Sequence, residues 1–292
     1  GGYVAALRAA KLGLKTAIVE NRDVGGTCLN RGCIPTKTLL HSAEVAREAQ
    51  EAQALGVTAQ ATVDFAAAHH RKAQVTQQLR EGIEGLFRQQ KVDLIRGTGT
   101  ILAPGQVEVE GKIYSADKIL IATGSVPARP PIPGLEHALT SDELLEHQDQ
   151  VCKSLVIIGG GVIGMEFASL YQMLGCQVTV LEAMDRILPN MDREVCQNLS
   201  MILKKRGVQI FAGARVEQVE KAEEGYTVRF TQKGQSAQVQ GEVVLCAIGR
   251  RPNTQGLFGP DFSVEQERGR ILVDENFQTS VPGVYAVGDV SA

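Results

Sequence analysis

Residues 154–164 read Ser-Leu-Val-Ile-Ile-Gly-Gly-Gly-Val-Ile-Gly, a short apolar run followed by spaced glycines. Such a run, bounded by glycine, is typical of a strand buried inside a parallel sheet. Gly159, Gly161 and Gly164 match the spacing Gly-x-Gly-x-x-Gly, and Glu182 follows the first of them by 23 residues. The sequence of strand, glycine turn, helix and acid predicts a Rossmann unit that binds a dinucleotide.

The fingerprint also predicts which dinucleotide binds. Its glycines let the backbone approach a pyrophosphate at the positive end of the following helix. Glu182 is expected to accept hydrogen bonds from a ribose 2′-hydroxyl and to repel a 2′-phosphate, which favours NAD over NADP. Arg186 lies four residues later and weakens that preference if its side chain faces the site.

Landmarks of this unit recur at the start of the chain, each 162 residues earlier. The matched pairs are Gly2 with Gly164, Gly13 with Gly175, and Glu20 with Glu182. We therefore expect two duplicated βαβ units. Gly2 is then the third glycine of a fingerprint whose earlier part lies upstream, and Glu20 holds the ribose of a second dinucleotide.

A second repeat is nested in the first, at an offset of 125 residues. Its matched pairs are Ala122 with Ala247, Gly124 with Gly249, and Pro127 with Pro252. This order predicts an α/β fold of two duplicated Rossmann-like domains, one inserted in the other. The expected boundaries are 1–150 for the first domain, 151–275 for the inserted domain and 276–292 for the return to the first.

Residues 25–37 read Gly-Gly-Thr-Cys-Leu-Asn-Arg-Gly-Cys-Ile-Pro-Thr-Lys, with Cys28 and Cys33 just ahead of a helical pattern. A helix N-terminus favours the thiolate form of a nearby cysteine. Gly32 gives the backbone freedom to bring two sulfurs together, so we expect a distorted first turn. A redox-active pair is the favoured interpretation; a structural disulfide, two core thiols and a zinc half-site are the alternatives. The other cysteines, which provide no second closely spaced pair for zinc, are Cys152, Cys176, Cys196 and Cys246.

Two charged residues accompany the cysteines. Lys37 lies one helical turn after Cys33 and is expected on the same side of the helix, where its charge stabilises a thiolate or a reduced flavin; the alternative is an exposed helix lysine. Glu166 stands near the start of the second fingerprint helix, where an apolar residue would pack. We expect it to pair with Lys37 across the two domains.

A long helix is predicted to begin at Asp64 and to end near Gln90. Its expected apolar face carries Val75, Leu79, Ile83 and Leu86 at helical spacing. No histidine is accompanied by an acid in a catalytic pattern, and all five are interpreted as surface residues: His41, His69, His70, His137 and His147.

Composition excludes several classes of function. The chain has 292 residues, enough for about two domains, and its net charge of −3 disfavours binding to nucleic acid or an anionic membrane. No stretch has the roughly 18 apolar residues that span a bilayer. Cysteine spacing is unlike a secreted disulfide framework and indicates a reducing compartment, the cytoplasm or, with the upstream sequence unknown, the mitochondrial matrix.

Residues 25–37 resemble the active-site signature of class I pyridine nucleotide-disulfide oxidoreductases, and the resemblance covers the whole chain. Leu29, Ile34 and residues 39–42 favour the branch that oxidises dihydrolipoamide. The resemblance implies an NAD domain inserted in an FAD domain. It also implies that Cys28 attacks the substrate, that Cys33 contacts the flavin, and that Lys37 and Glu166 belong to the catalytic group.

The resemblance implies two sets of binding residues. FAD would be held by Gly2, Glu20, Gly26, Thr27, Lys37, Gly99, Thr123, Gly124 and Asp289. NAD would be held by Gly159, Gly161, Val162, Ile163, Gly164, Glu182, Val216, Ala247, Ile248, Gly249 and Arg250. No metal is expected.

The implied reaction converts a protein-bound dihydrolipoyl group and NAD⁺ into a lipoyl group, NADH and a proton. Implied partners are the lipoyl domains of 2-oxo acid dehydrogenase complexes or the glycine cleavage system, and a second copy of the intact chain. Members of the family continue beyond a Gly-Asp pair like Gly288-Asp289 into a dimerisation domain whose His-Pro motif supplies a base to the partner. Residues 1–292 are therefore expected to be inactive alone. Mercuric or glutathione reductase activity, or a flavoprotein redox sensor, are the alternatives.

Overall fold

The computed structural model describes residues 1–146 and 150–292, so His147 lies outside the described residues. The helices are α1 (Gly2–Lys11), α2 (Gly26–Arg31), α3 (Cys33–Glu51), α4 (Phe65–Gln90), α5 (Ser141–Glu146), α6 (Val162–Met173) and α7 (Arg193–Lys205). Within the described ranges, no helix has the length and apolar character needed to cross a membrane.

The strands of the first half are β1 (Ala17–Glu20), β2 (Asp93–Arg96), β3 (Gly99–Ala103), β4 (Gln106–Val109), β5 (Lys112–Ser115), β6 (Ile119–Ile121), β7 (Ser125–Pro127) and β8 (Leu139–Thr140). Those of the second half are β9 (Ser154–Ile158), β10 (Gln177–Glu182), β11 (Gln209–Ala212), β12 (Ala214–Lys221), β13 (Tyr226–Gln232), β14 (Gln235–Gly241), β15 (Val243–Cys246), β16 (Arg250–Pro252), β17 (Gln266–Glu267), β18 (Arg270–Ile271) and β19 (Val284–Ala286).

Residues 31–75 and 127–249 form one compact unit, here the second unit. Its five-stranded parallel sheet has the order β11-β10-β9-β15-β8. The four apolar residues of β9 are buried, as expected for a central strand flanked by layers on both faces. An antiparallel sheet, β12-β13-β14, covers one side of the core.

Residues 1–30, 76–126 and 250–292 form the first unit. Two pairs of parallel strands, β1 with β2 and β6 with β19, share it with the antiparallel sheet β3-β4-β5. Helix α1 packs beside β1, and Ala6, Ile83 and Phe87 are buried in the same small core. A second core collects Ile121 and Val284 from β6 and β19.

The predicted duplication is confirmed in backbone detail. Helix α1 ends with a bond from the N–H of Gly13 to the carbonyl of Ala10, and α6 ends with the equivalent bond from Gly175 to Gln172, both 3.0 Å long. These two glycines have φ of 86° and 85°, the left-handed conformation that a helix stop favours. The α/β class and the repeated dinucleotide-binding architecture are therefore correct.

The compact units do not follow the expected boundaries at 150 and 275. Residues 31–75, which include α3, belong to the second unit, and the chain is back in the first unit from Arg250 onward. Residues 127–146 join the second unit because β8 adds an edge strand beside β15.

The long helix begins where predicted, since the Asp64 carboxylate accepts a 2.9 Å hydrogen bond from the N–H of Ala67. The predicted apolar face is wrong in part, because Leu79 and Leu86 are exposed while Lys72 and Thr76 are buried. The surface assignment of His69 is also wrong: this half-buried ring packs edge-on against Phe65 at 4.5 Å between centroids. The other described histidines are exposed: His41, His70 and His137.

Candidate functional site

The second unit carries a cavity of about 370 Å³ at the carboxyl end of its parallel sheet. Gly159, Glu182, Val216 and Ile248, all predicted from the sequence, line it. This is the edge of an open parallel sheet at which ligands bind. Sequence reasoning missed other lining residues, which lie between β7 and β8 or at the start of β12: Pro130, Ile132, Ala214 and Arg215.

The fingerprint glycines meet different steric demands. Gly159 has φ of 111°, and a Cβ there would lie 2.5 Å from the carbonyl oxygen of Ala247. A Cβ on Gly164 would overlap the carbonyl oxygen of Gly159. Gly161 has open space around its Cβ position and φ of −74°. A side chain at Gly159 or Gly164 would therefore clash with the backbone. Gly161 meets no such clash, and its missing side chain leaves the N-terminus of α6 accessible to a ligand.

Glu182 is fixed by backbone donors at the end of β10. One carboxylate oxygen accepts a 2.5 Å bond from the N–H of Gly160, and the other accepts a 2.7 Å bond from the N–H of Met184. Each oxygen keeps acceptor capacity for a further donor, such as a ribose hydroxyl. The Arg186 guanidinium donates to the carbonyl of Pro189 at 3.0 Å and lies 3.8 Å from the Asp185 carboxylate.

Of the remaining residues predicted for NAD, most lie beside the same glycine turn. Val162 and Ile163 begin α6, and Ala247 to Gly249 follow β15, with φ of 129° at Gly249. Arg250 differs: it belongs to the first unit, where its Nε donates to the Ser125 hydroxyl at 2.8 Å. Through Ser125, the structure thus links Arg250 to Asp289, which was predicted for the other dinucleotide.

In the first unit, as in the second, an acidic residue stands at the end of a strand. Glu20, at the end of β1, accepts a 2.9 Å bond from the N–H of Arg22, just as Glu182 accepts one from Met184. Gly2 lies close to β6, because a Cβ there would be 3.3 Å from that of Ala122. These features fit a helix N-terminus and a ribose-binding acid, as a dinucleotide requires.

A hydrogen-bonded chain in the first unit positions Asp289. The Ser125 hydroxyl donates to its carboxylate at 2.7 Å, and Ser125 in turn accepts from Arg250. Asp289 is exposed and keeps lone pairs for hydroxyl donors, such as those of a ribityl chain. Sequence reasoning assigned no role to Ser125, although it directly follows the predicted Thr123-Gly124 pair.

The other residues predicted for FAD also lie in the first unit, except Lys37. Gly26 and Gly124 have positive φ, 76° and 67°, and turn the chain beside the strand ends. The Thr123 hydroxyl donates to the carbonyl of Asn253 at 2.7 Å. Thr27 lies in α2 and Gly99 begins β3.

The cysteine segment is divided by Gly32, as the expected distortion required. Cys28 lies in α2 and in the first unit, whereas Cys33 begins α3 and lies in the second unit. Both side chains are exposed. The 19-residue helix α3 therefore starts at a cysteine, where the helix dipole favours negative charge.

The ion pair between Lys37 and Glu166 is present. It joins α3 to α6 inside the second unit, so the expectation that it crosses the two domains is wrong. Both side chains are partly exposed, and pairs of this kind contribute about 0–1 kcal/mol to stability. Across residues 1–146 and 150–292, no group of three or more His, Cys, Asp or Glu side chains is arranged to hold a metal.

A family model for pyridine nucleotide-disulphide oxidoreductases matches residues 1–292, and the chain belongs to this family. Among curated relatives, dihydrolipoyl dehydrogenase of Bacillus subtilis (strain 168) is 41% identical over 310 residues, which cover 99% of this chain and 65% of the relative. Dihydrolipoyl dehydrogenase of Acholeplasma laidlawii is 40% identical over 299 residues, covering 100% of this chain and 87% of that protein.

A solved structure has the same fold as this chain. The HOCl-induced flavoprotein disulfide reductase RclA from Escherichia coli superposes with a TM-score of 0.86 at 33% identity, over 99% of this chain and 63% of that one. The chain thus spans just under two thirds of the length of the Bacillus relative and of RclA.

Proposed function

We propose that the intact protein oxidises dihydrolipoyl groups carried by lipoyl domains and reduces NAD⁺, with FAD as its bound cofactor. The observation that carries this proposal is the Cys28-x-x-x-x-Cys33 motif, in a chain 41% identical to a dihydrolipoyl dehydrogenase. The protein would act as a homodimer in a reducing compartment, the cytoplasm or the mitochondrial matrix.

The chain's own residues divide the task. In the oxidised protein, Cys28 and Cys33 would form a disulfide. One substrate thiolate attacks Cys28 Sγ and releases Cys33 as a thiolate, and the second substrate thiol then displaces Cys28 and closes the lipoyl disulfide, so that the dithiol is oxidised and the protein disulfide is reduced. Glu20, Thr123, Gly124 and Asp289 hold the FAD, and the turn from Gly159 to Gly164 holds the NAD pyrophosphate with Glu182 on its ribose. Bound FAD supplies the redox centre that passes an electron pair between the dithiol and NAD.

A substrate panel tests the proposal. The intact, FAD-loaded protein should oxidise NADH with lipoamide at a kcat/KM at least about 100-fold above that with glutathione disulfide or Hg(II). A preference for either of the latter would assign the protein to glutathione or mercuric reduction instead. Absence of turnover with all three would favour the redox-sensor alternative.

RclA gives a reason to keep a second candidate, a flavoprotein disulfide reductase with another disulfide substrate. The two candidate functions use the same nucleotide sites and differ in the disulfide substrate that accepts electrons from NADH. Faster NADH oxidation with a non-lipoyl disulfide than with lipoamide would select this candidate.

Substitution of Glu182 by alanine should lower NAD affinity about 10-fold and narrow the preference over NADP. The reason is that the variant loses an acceptor for the ribose and a charge that repels a 2′-phosphate. Isothermal titration calorimetry with NAD and with NADP measures the two affinities and their ratio. Glu182→Gln, which keeps the size but not the charge, separates repulsion from shape. An unchanged ratio in both variants would remove Glu182 from the ribose site.

Flavin retention should fall by about 10-fold or more in Asp289→Ala, because a charged acceptor for hydroxyl donors is lost. Ser125→Ala should show a smaller loss, since Asp289 remains but loses the hydroxyl that orients it. FAD release on dilution, followed by fluorescence, measures both. Asp261→Ala, at an exposed position of the same unit, is the control. Equal retention in all three variants would contradict the assignment.

A further inference from the structure

Two cysteines outside the predicted redox motif lie side by side in the second unit. Their sulfur atoms, Cys152 Sγ and Cys176 Sγ, are 3.6 Å apart, and both residues are buried, with 8% and 6% of their surface exposed. Cys152 precedes β9 and Cys176 directly precedes β10, two paired parallel strands. A disulfide bond is about 2 Å long, so a shift of about 1.5 Å would bring the sulfurs to bonding distance.

The two thiols are chemically unequal. A hydrogen bond from Cys176 lowers the pKa of Cys152 against the opposing effects of burial and of Glu242. The same hydrogen bond and burial raise the pKa of Cys176. This hydrogen bond favours the thiolate form of Cys152 and the protonated form of Cys176.

The other buried cysteines have different surroundings. Cys196 Sγ donates to the carbonyl of Leu188 at 3.1 Å, and Cys246 Sγ lies 3.5 Å from the carbonyl of Ala128. Both are more deeply buried than the pair, with 1% and 2% of their surface exposed. They provide controls whose sulfurs bond to backbone carbonyls, whereas Cys176 Sγ lies 3.6 Å from both the Gln177 carbonyl and Cys152 Sγ.

We propose that Cys152 and Cys176 form a second, oxidisable dithiol whose disulfide links the amino ends of β9 and β10. With hydrogen peroxide as oxidant, the Cys152 thiolate attacks one peroxide oxygen and becomes a sulfenic acid, and the displaced hydroxide takes up the proton that the Cys152 thiol had released and leaves as water. The Cys176 thiol then attacks that sulfur, the S–S bond forms and a second water leaves. Two thiols lose two electrons in total, and one peroxide is reduced to two waters.

The link would enclose the segment that contains β9, the glycine turn and α6. It closes this segment at the amino ends of the strands, whereas the cavity lies at their carboxyl ends. Oxidation should therefore stabilise the second unit and leave the nucleotide cavity open. Because both sulfurs are nearly covered, the oxidant must be small, and the reaction should be slower than oxidation of the exposed Cys28 and Cys33.

Peptide mapping of the intact, FAD-loaded protein tests this proposal. In a Cys28→Ser/Cys33→Ser background, folded protein is treated with peroxide, alkylated in denaturant and cut with trypsin. Trypsin cuts after Lys153, between the two cysteines. We expect a cross-linked peptide pair two hydrogens lighter than its parts. The melting temperature should rise by roughly 5 °C and return after dithiothreitol.

Variants provide the controls. Cys196→Ser should keep the cross-link, whereas Cys176→Ser should lose both the link and the rise in melting temperature. The proposal is overturned if Cys152 and Cys176 are both recovered as alkylated thiols, if Cys152 ends as a sulfonic acid, or if the link forms only in denaturant. A link without a rise in melting temperature would overturn the stabilising role. The peptide map of the Cys28→Ser/Cys33→Ser protein does not depend on the Cys176→Ser variant. The test therefore remains valid if that variant misfolds.

Discussion

A Cys33→Ser variant of the intact protein is expected to oxidise dihydrolipoamide at least about 10³-fold more slowly than the parent. Serine cannot form a disulfide with Cys28, so the variant has no protein disulfide that can take the electron pair of the substrate. The loss should appear in kcat rather than KM, because Cys28 remains available to meet the substrate. Steady-state NAD⁺ reduction with dihydrolipoamide measures it.

The fold should tolerate this change. Cys33 is exposed at the first position of α3, and serine removes no core contact there. NADH-dependent reduction of ferricyanide, which needs the two nucleotide sites but no dithiol, should stay within a few-fold of the parent. Retention of dihydrolipoamide turnover would contradict the proposed role of the pair. Loss of both activities would instead indicate damage to a nucleotide site.

The structure confirms the predicted strand, glycine turn and helix, which rest on local chemistry with a fixed spacing. Gly159, Gly164 and Glu182 were identified because a strand, a tight turn and a helix N-terminus impose their residue types within one short segment. Glu20 was assigned to the equivalent position because it lies 162 residues before Glu182. The hydrogen bonds at Arg22 and Met184 now show that the two acids occupy the same local turn.

Contacts between distant segments were not predictable in this way. Ser125, Arg250 and Asp289 form one hydrogen-bonded chain, but they are separated by 125 and 39 residues along the sequence. Nothing in their local patterns encodes that meeting, which depends on the pairing of β7 with β16 and of β6 with β19. The adjacency of Cys152 and Cys176 likewise follows from the pairing of β9 with β10.

Helical spacing also left the packed face of α4 ambiguous. Leu79 and Leu86 are as apolar as their buried neighbours, yet they face solvent, whereas Lys72 is buried and donates to the carbonyl of Leu145. Burial lowers the pKa of Lys72 against the attraction of Glu146. A buried lysine with a backbone acceptor can occupy a core-facing position that a hydrophobicity pattern assigns to leucine.

The third fingerprint glycine should give the largest effect in the second unit, where NAD binding is proposed. Gly164→Ala places a methyl group against the carbonyl oxygen of Gly159, and backbone atoms cannot move aside as a flexible side chain does. Helix α6 must then shift from β9, which moves the N–H groups that would bind the pyrophosphate. We expect NAD affinity to fall by more than about 100-fold and the free energy of unfolding to fall by about 2–4 kcal/mol.

Gly161→Ala is the matched comparison, because its Cβ meets open space and its φ of −74° suits alanine. Its melting temperature should equal that of the parent, while NAD affinity should fall, since the new methyl group stands where the pyrophosphate approaches. Calorimetric melting and NAD titration on both variants separate the two effects. Equal destabilisation by both substitutions would show that α6 tolerates no side chain at either glycine. Undiminished NAD binding in Gly161→Ala would place the pyrophosphate away from this turn.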